Sequence, residues 1–328
     1  MKRTTTSISR RSILLAAGAC AWATQVQGQS RFPDRPITLI VPFGPGGIAD
    51  LTARAVAEPM AKTLGQAVVV ENRPSAGSIV ASQAVATAKP DGHTLLVMSN
   101  SNALSATLFK KLPYDTVKDF APVSTLGFFD IGVFANAGSP LQSLQHALDF
   151  AKAQPGKLTI GTIAVGSTQH LAAELFKTVT GIDALIVPYK ASPAVLTALR
   201  AGEIQLAFEI VGPMLGQVSA GALRALAVSS DSRNPALPEV PTVQQSGVAG
   251  YSVASWNAIA APAGTPAEVV ERLNMAAREA VATPAVREKL GKLGMRLQAS
   301  TPAELQSLLT SEIKRWGDVI RAAKIAPE

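Results

Sequence analysis

The chain has 328 residues, 47% of them hydrophobic and 16% charged, with a formal net charge of +7. That length and apolar content suit one large domain or two lobes of ordinary size. Aromatic residues make up only 5%, and no run of Lys and Arg lies beyond the first thirty residues, which excludes a nucleic-acid groove built on clustered cations and stacking rings.

The first thirty residues read as an address. Lys2, Arg3, Arg10 and Arg11 come with no acid, the apolar run Ile13 to Ala23 follows, and small and polar residues close it. This is the layout of an export signal, expected over residues 1–28, with cleavage after Ala23 or Gly28. The apolar run is far short of the roughly 20 residues that span a bilayer. Ser9-Arg10-Arg11-Ser12-Ile13-Leu14 resembles a twin-arginine signal, and Sec signals contain Arg pairs too. Removing four of the 30 basic residues and no acid lowers the net charge from +7 to about +3. The single cysteine, Cys20, goes with it, so an exported mature domain must rely on its core, without disulfides. Ala17-Gly18-Ala19-Cys20 resembles a lipoprotein box but lacks the Leu three residues before the Cys.

From Ile37 onward strand and helix signals alternate. Ile37–Val41 is a continuous apolar run, a glycine bend follows, and Val56, Met60 and Leu64 recur at helical spacing until Gly65. Pro59 within that helix is expected to kink it or to cost one hydrogen bond. Ala67–Val70 reads as a strand, Ile79–Ala88 as a small-residue helix, Pro90-Asp91-Gly92 as a turn and Thr94–Met98 as a third strand. The pattern restarts with the strand Leu158–Thr162, the bend Ala164-Val165-Gly166 and a helix over Ser167–Thr180 that Gly181 ends. Leu185–Val187, Pro193–Ala201 and Leu206–Glu209 continue it as strand, helix and strand. Two βαβαβ units imply mostly parallel sheets covered by helices. The proline-rich Asp231–Pro241 reads as a crossing back to the first unit. The tail offers helices over Pro266–Ala282, Pro284–Leu293 and Pro302–Ala323, each opened by a proline. The expected organisation is a first lobe from 31–128 plus 229–328, and a second lobe, 129–228, inserted between them.

The bend after the first strand is a candidate anion site, because backbone amides and a helix start point at one place. Gly44-Pro45-Gly46-Gly47-Ile48-Ala49 fits the dinucleotide pattern G-x-G-x-x-A, with Glu71 about 20 residues on as the ribose acid. Against it, Pro42 and Pro45 remove two amides. A P-loop is excluded, since no Gly-Lys-Ser/Thr follows. The third reading is a carboxylate held by Gly46, Gly47, Ile48 and Ala49.

Motifs in order along the mature chain carry a resemblance. Pro42-Phe43-x-x-Gly46-Gly47-x-x-Asp50 leads to Val69-Val70-Glu71-Asn72-Arg73-Pro74-x-Ala76-Gly77 and Pro90-Asp91-Gly92-x-Thr94-Leu95-Leu96. Tyr114-Asp115, Asp119-Phe120-Ala121-Pro122-Val123, Gly166-Ser167-x-x-His170-Leu171 and Pro188-Tyr189-Lys190 come next. Leu237-Pro238-x-Val240-Pro241-Thr242, Trp256 and Ala261-Pro262-x-Gly264-Thr265-Pro266 complete them. The whole is similar to the tripartite tricarboxylate transporter receptors, the Bug-type solute-binding proteins. The resemblance implies an α/β, two-lobed periplasmic-binding-protein-like fold, in which each lobe is a mostly parallel sheet flanked by helices. It also implies a monomeric periplasmic receptor that closes over a small carboxylate and delivers it to a tripartite transporter. No chemistry, cofactor, metal or nucleic acid is implied. An exported oxidoreductase holding a dinucleotide on the bend is the alternative.

The resemblance places Phe43, Gly46, Gly47, Ile48, Ala49 and Ser78 on the first-lobe wall of the cleft. Facing them it places Thr162, Gly166, Ser167, Thr168, Ser192 and Glu209. The family commonly has Gly at the positions of Ser75 and Ser78 and Asp at that of Glu209, so these three departures bear on which ligand is held.

Plainer roles compete at several positions. Asp50 lies in the first helical turn, where an acid stabilises the dipole, and Ser167 is a good N-cap. Ser167 with His170 invites a nucleophile–base pair, but no G-x-S-x-G elbow surrounds the serine and no acid is placed to orient the histidine. His93 and His146 have no i,i+4 partner, which argues against metal ligation. Phe128, Phe129 and Trp256, near the expected crossings between lobes, are candidates for lining the cleft.

Overall fold

The computed structural model describes Lys2, residues 32–322 and residues 325–327. All of the expected export signal except Lys2 lies outside the described residues. Strand β1 (Ile37–Val41) runs parallel to both β2 (Val68–Asn72) and β3 (Thr94–Ser99), with Leu39 opposite Val70 and Leu95. Ile37, Leu39, Ile40 and Val41 are all buried, as expected of a strand covered on both faces. Helix α1 (Ile48–Leu64) follows β1 and runs unbroken past Pro59. Gly65 ends it in the left-handed region (φ 74°), its N–H bonded to the Ala61 carbonyl. Helices α2 (Ile79–Ala86) and α3 (Asn100–Leu108) flank the same sheet.

Strand β4 joins the two halves of the molecule. It runs 17 residues, Phe120–Asn136. Up to Asp130 it pairs antiparallel with β9 (Ala254–Pro262), which itself pairs with β3; it also pairs with the short β10 (Arg296–Leu297). From Ile131 it pairs with β7 (Leu206–Ile210) and β8 (Leu223–Val228). The second half-sheet continues parallel through β5 (Leu158–Ile163) to β6 (Ala184–Tyr189). The order is therefore β2-β1-β3-β9-β4-β7-β5-β6, with β8 and β10 off this path on β4. One strand passes from one half-sheet to the other between Asp130 and Ile131. The chain returns beside it: Ser229 N–H donates to the Ile131 carbonyl at 2.8 Å, and Val253 N–H donates to the Ser229 carbonyl at 2.7 Å.

Helices α4 (Leu144–Ala153), α5 (Thr168–Thr180), α6 (Ser192–Ala201) and α7 (Val211–Ser219) cover the second half-sheet. The tail folds back on the first: α8 (Ala267–Ala282) packs on α1 and β4, α9 (Pro284–Gly291) on α1 and α8, and α10 (Pro302–Ala322) on α3 and β4. The βα alternation read from the sequence is present in both halves. The antiparallel strands β4, β8, β9 and β10 add to the parallel arrangement expected.

Candidate functional site

The glycine bend is braced from below by Asp50. Its Oδ2 accepts from Gly46 N–H at 3.0 Å, and its Oδ1 accepts from Arg54 Nε at 2.9 Å and Asn72 Nδ2 at 3.0 Å. Burial alone would raise its pKa, but the bonds from Arg54, Gly46 and Asn72 together hold it below the usual carboxylate value. Asp50 thus shapes the bend and occupies the Gly46 amide. Gly46 sits at φ 83°, a conformation that favours glycine, whereas Gly47 at φ −80° is ordinary extended backbone.

Above the bend a cavity of about 30 Å³ lies between the two half-sheets, lined from both sides. Phe43, Gly47, Ile48, Ala49, Ser99, Ser255 and Asn257 come from the first, and Ile163, Thr168, Gln169, Ala191, Ser192 and Ile210 from the second. Such a volume holds one or two water molecules, so the walls must part for anything larger to enter. Contact across the cleft is tight: a Cβ on Gly44 would stand 2.7 Å from Ala191 Cβ. Thr168 Oγ1 and Ser255 Oγ, one from each side, are 3.0 Å apart.

The lining is dominated by helix starts. Gly47, Ala191 and Ile210 precede α1, α6 and α7 and provide no side-chain cap. Ser99 and Ser167 cap α3 and α5. Five N-termini therefore converge on one small space and turn partial positive charge toward it, three of them without a side-chain cap. None of the described lining residues carries a charge. Chemically, such an arrangement can hold an anion through amides and hydroxyls, without a counter-cation.

Of the twelve residues singled out in the sequence, Phe43, Gly47, Ile48, Ala49, Thr168 and Ser192 line the cavity. Gly46 is spent on Asp50. Thr162 is buried with its hydroxyl on the Ile163 carbonyl. Ser167 Oγ accepts from His170 N–H at 3.1 Å and donates to the Ile163 carbonyl at 3.2 Å, while its own N–H bonds the Ala164 carbonyl. With every polar group engaged inside its own half, Ser167→Ala is expected to cost about 1 kcal/mol of stability as a lost cap and to leave ligand affinity within about threefold. Denaturant unfolding and calorimetry on the same variant separate the two effects.

Ser78 and Gly166 do something else: they clasp the two halves together. Gly77 N–H donates to the Val165 carbonyl at 2.7 Å, and Ser101 Oγ donates to the Gly166 carbonyl at 2.7 Å. Ser78 Oγ donates in turn to Ser101 Oγ at 3.1 Å. Ser78 stands at φ 60°, a left-handed conformation that glycine adopts with less strain. Glu209 lies one side chain behind the cavity, bonded to Gln169 and Ile210.

Sequence reasoning missed Ser99, Gln169, Ser255 and Asn257. Asn257 is buried, its Nδ2 donating to Thr52 Oγ1 at 3.3 Å and its Oδ1 without a hydrogen bond. Of the three aromatic candidates, Phe129 lines the cavity. Phe128 instead lies under the Arg296 guanidinium, and Trp256 is packed in the core between β9 and α10. Glu71 on the edge strand β2, the acid of the dinucleotide reading, ion-pairs at the surface with Arg73, just after the strand. Among the described residues, no group of three His, Cys, Asp or Glu side chains is arranged to hold a metal ion, and no helix is long and apolar enough to cross a membrane.

Two α/β halves joined by a shared strand, with a cleft of helix N-termini between them, define a solute-binding protein. The chain belongs to the tripartite tricarboxylate transporter receptor family, whose model matches residues 52–325. MatC from Rhodopseudomonas palustris, solved with bound malate, is 33% identical and superposes with a TM-score of 0.84, over 88% of this chain and all of that one. A second R. palustris protein, solved with adipate, is 34% identical with a TM-score of 0.86, over 90% of this chain and 100% of its own. The periplasmic binding protein BugD is 29% identical with a TM-score of 0.87, over 90% and 100% respectively.

Proposed function

We propose that this chain is a periplasmic receptor that closes over a small carboxylate and hands it to a tripartite tricarboxylate-type transporter. The observation that carries this reading is the convergence of five helix N-termini on a cavity with no charged lining. A cavity so built attracts an anion and satisfies it with amides. At about 0.3–1 kcal/mol per helix, the dipoles contribute part of the roughly 8 kcal/mol that micromolar binding requires. Direct bonds from the amides of Ile48, Ala49, Thr168 and Gln169 and the hydroxyls of Thr168, Ser192 and Ser255 supply the rest. The malate and adipate held by relatives make a dicarboxylate the first ligand class to test. In this reading residues 31–128 with 229–328 form one lobe and 129–228 the other, hinged at the crossings near Phe128, just before β4 changes partners, and at Ser229. The receptor acts as a monomer without cofactor or reaction, after export through the N-terminal signal.

The test is calorimetry of the mature chain against malate, adipate and citrate, with NAD as the control, alongside solution scattering. Binding of a carboxylate with a smaller radius of gyration in the complex is expected. A protein that binds NAD and none of the carboxylates would overturn the reading.

A further inference from the structure

Behind the cavity wall lies an acid that the carboxylate site does not need as a contact. Glu209 on β7 is fully buried. Its Oε1 accepts from Gln169 Nε2 at 2.9 Å and from Ile210 N–H at 2.8 Å. Its Oε2 is buried with no hydrogen bond of good geometry, although the Ser192 hydroxyl is close enough to favour the ionised carboxyl. Gln169, Ile210 and Ser192, the residues that act on this carboxyl through hydrogen bonds, all line the cavity. A ligand there sits one side chain away from it.

We propose that Glu209 takes up a proton when a carboxylate ligand binds, so that the receptor holds its ligand only with this acid neutral. The inference rests on the carboxylate reading of the cleft. Two anions do not share one small buried site without a cation between them, and the lining offers none. The charged or titratable side chains on the elements packed round Glu209 are His170, Glu174 and Lys177 on α5, Arg200 on α6 and Asp130 on β4. Lys190 lies in the turn before α6. None of them is among the causes that set the acidity of Glu209. Burial raises its pKa to about 7, against smaller opposing effects of Gln169, Ile210 and Ser192. A ligand carboxylate adds a like charge and raises it further. Protonation gives the buried Oε2 a hydrogen to donate, which turns a repulsive wall into one that accepts an anion.

The sign of the pH dependence follows. Well below pH 7 the acid is already neutral and affinity is level. Above it a proton must be supplied, and each pH unit weakens binding by up to tenfold until the pKa of the complex is reached. Malate is therefore expected to bind about 30-fold more weakly at pH 8.5 than at pH 6. At pH 8 its binding enthalpy should differ between phosphate and Tris buffers by close to one proton's ionisation heat. Glu209→Gln should abolish both the pH dependence and the buffer dependence, and the wild-type buffer comparison stands without the variant. Malate binding at pH 8 with no proton uptake would overturn the coupling and leave the carboxylate site intact. Tight binding of aspartate without proton uptake would also overturn it, by assigning Glu209 to an ammonium group. Failure of malate, adipate and citrate to bind at any pH would overturn the carboxylate reading and the coupling with it.

Discussion

Gly166→Ala is expected to weaken ligand binding by about 3 kcal/mol, roughly 150-fold. Gly166 stands at φ 76°, and a Cβ there would lie 2.9 Å from Gly77 Cα and 3.1 Å from Gly77 N. These are backbone atoms of the opposite half and cannot rotate aside. Overpacking of this kind costs about 1–3 kcal/mol. Pushing the halves apart also loses the Gly77–Val165 and Ser101–Gly166 hydrogen bonds, at about 1 kcal/mol each. The strain of an L-residue in the left-handed region is present whether the cleft is open or shut, so it cancels from the affinity. Gly181→Ala is the control, because Gly181 has φ 67° and open space around it. Calorimetry should show the loss for Gly166→Ala alone, and scattering should find that variant expanded at saturating ligand. Affinity within threefold of wild type would mean that the clasp does not form in the bound state.

The ligand-free protein is expected to lose about 2 kcal/mol of stability between pH 5.5 and pH 8 through Glu209. Its folded-state pKa of about 7 lies above the ordinary 4.5, so the folded chain holds the proton more tightly than the unfolded one. That contribution is fully present below about pH 4.5 and declines as pH rises through 7, at up to 1.36 kcal/mol per unit. Asp50 acts in the opposite direction and at lower pH, since its lowered pKa adds stability that is lost only as the protein is acidified. Comparing the denaturant unfolding of wild type and Glu209→Gln at both pH values isolates the Glu209 effect. Equal losses in the two proteins would mean that Glu209 titrates normally.

The parts of the site legible in the sequence are those made by local rules. The apolar run Ile37–Val41, the glycine bend and the four-residue spacing of Val56, Met60 and Leu64 each report on a few neighbouring residues, and β1, the bend and α1 follow from them. The same holds for the helix of Ser167 and for its cap. Strand β4 was not legible. Nothing in its 17 residues marks the point between Asp130 and Ile131 where its partners change, because pairing is decided by strands as far away as β7 and β9. Ser255 and Asn257 read as ordinary strand residues for the same reason.

Residue types and their order were enough to determine the alternation of strands and helices, the two glycine-marked helix starts and the family. Which of the twelve marked residues touch the cavity was decided only by the tertiary structure. Gly46 and Ser167 carry suitable groups, but Asp50, His170 and Ile163 have already engaged them, and a polar group can recognise a ligand only with hydrogen bonds that its own fold has left unmade.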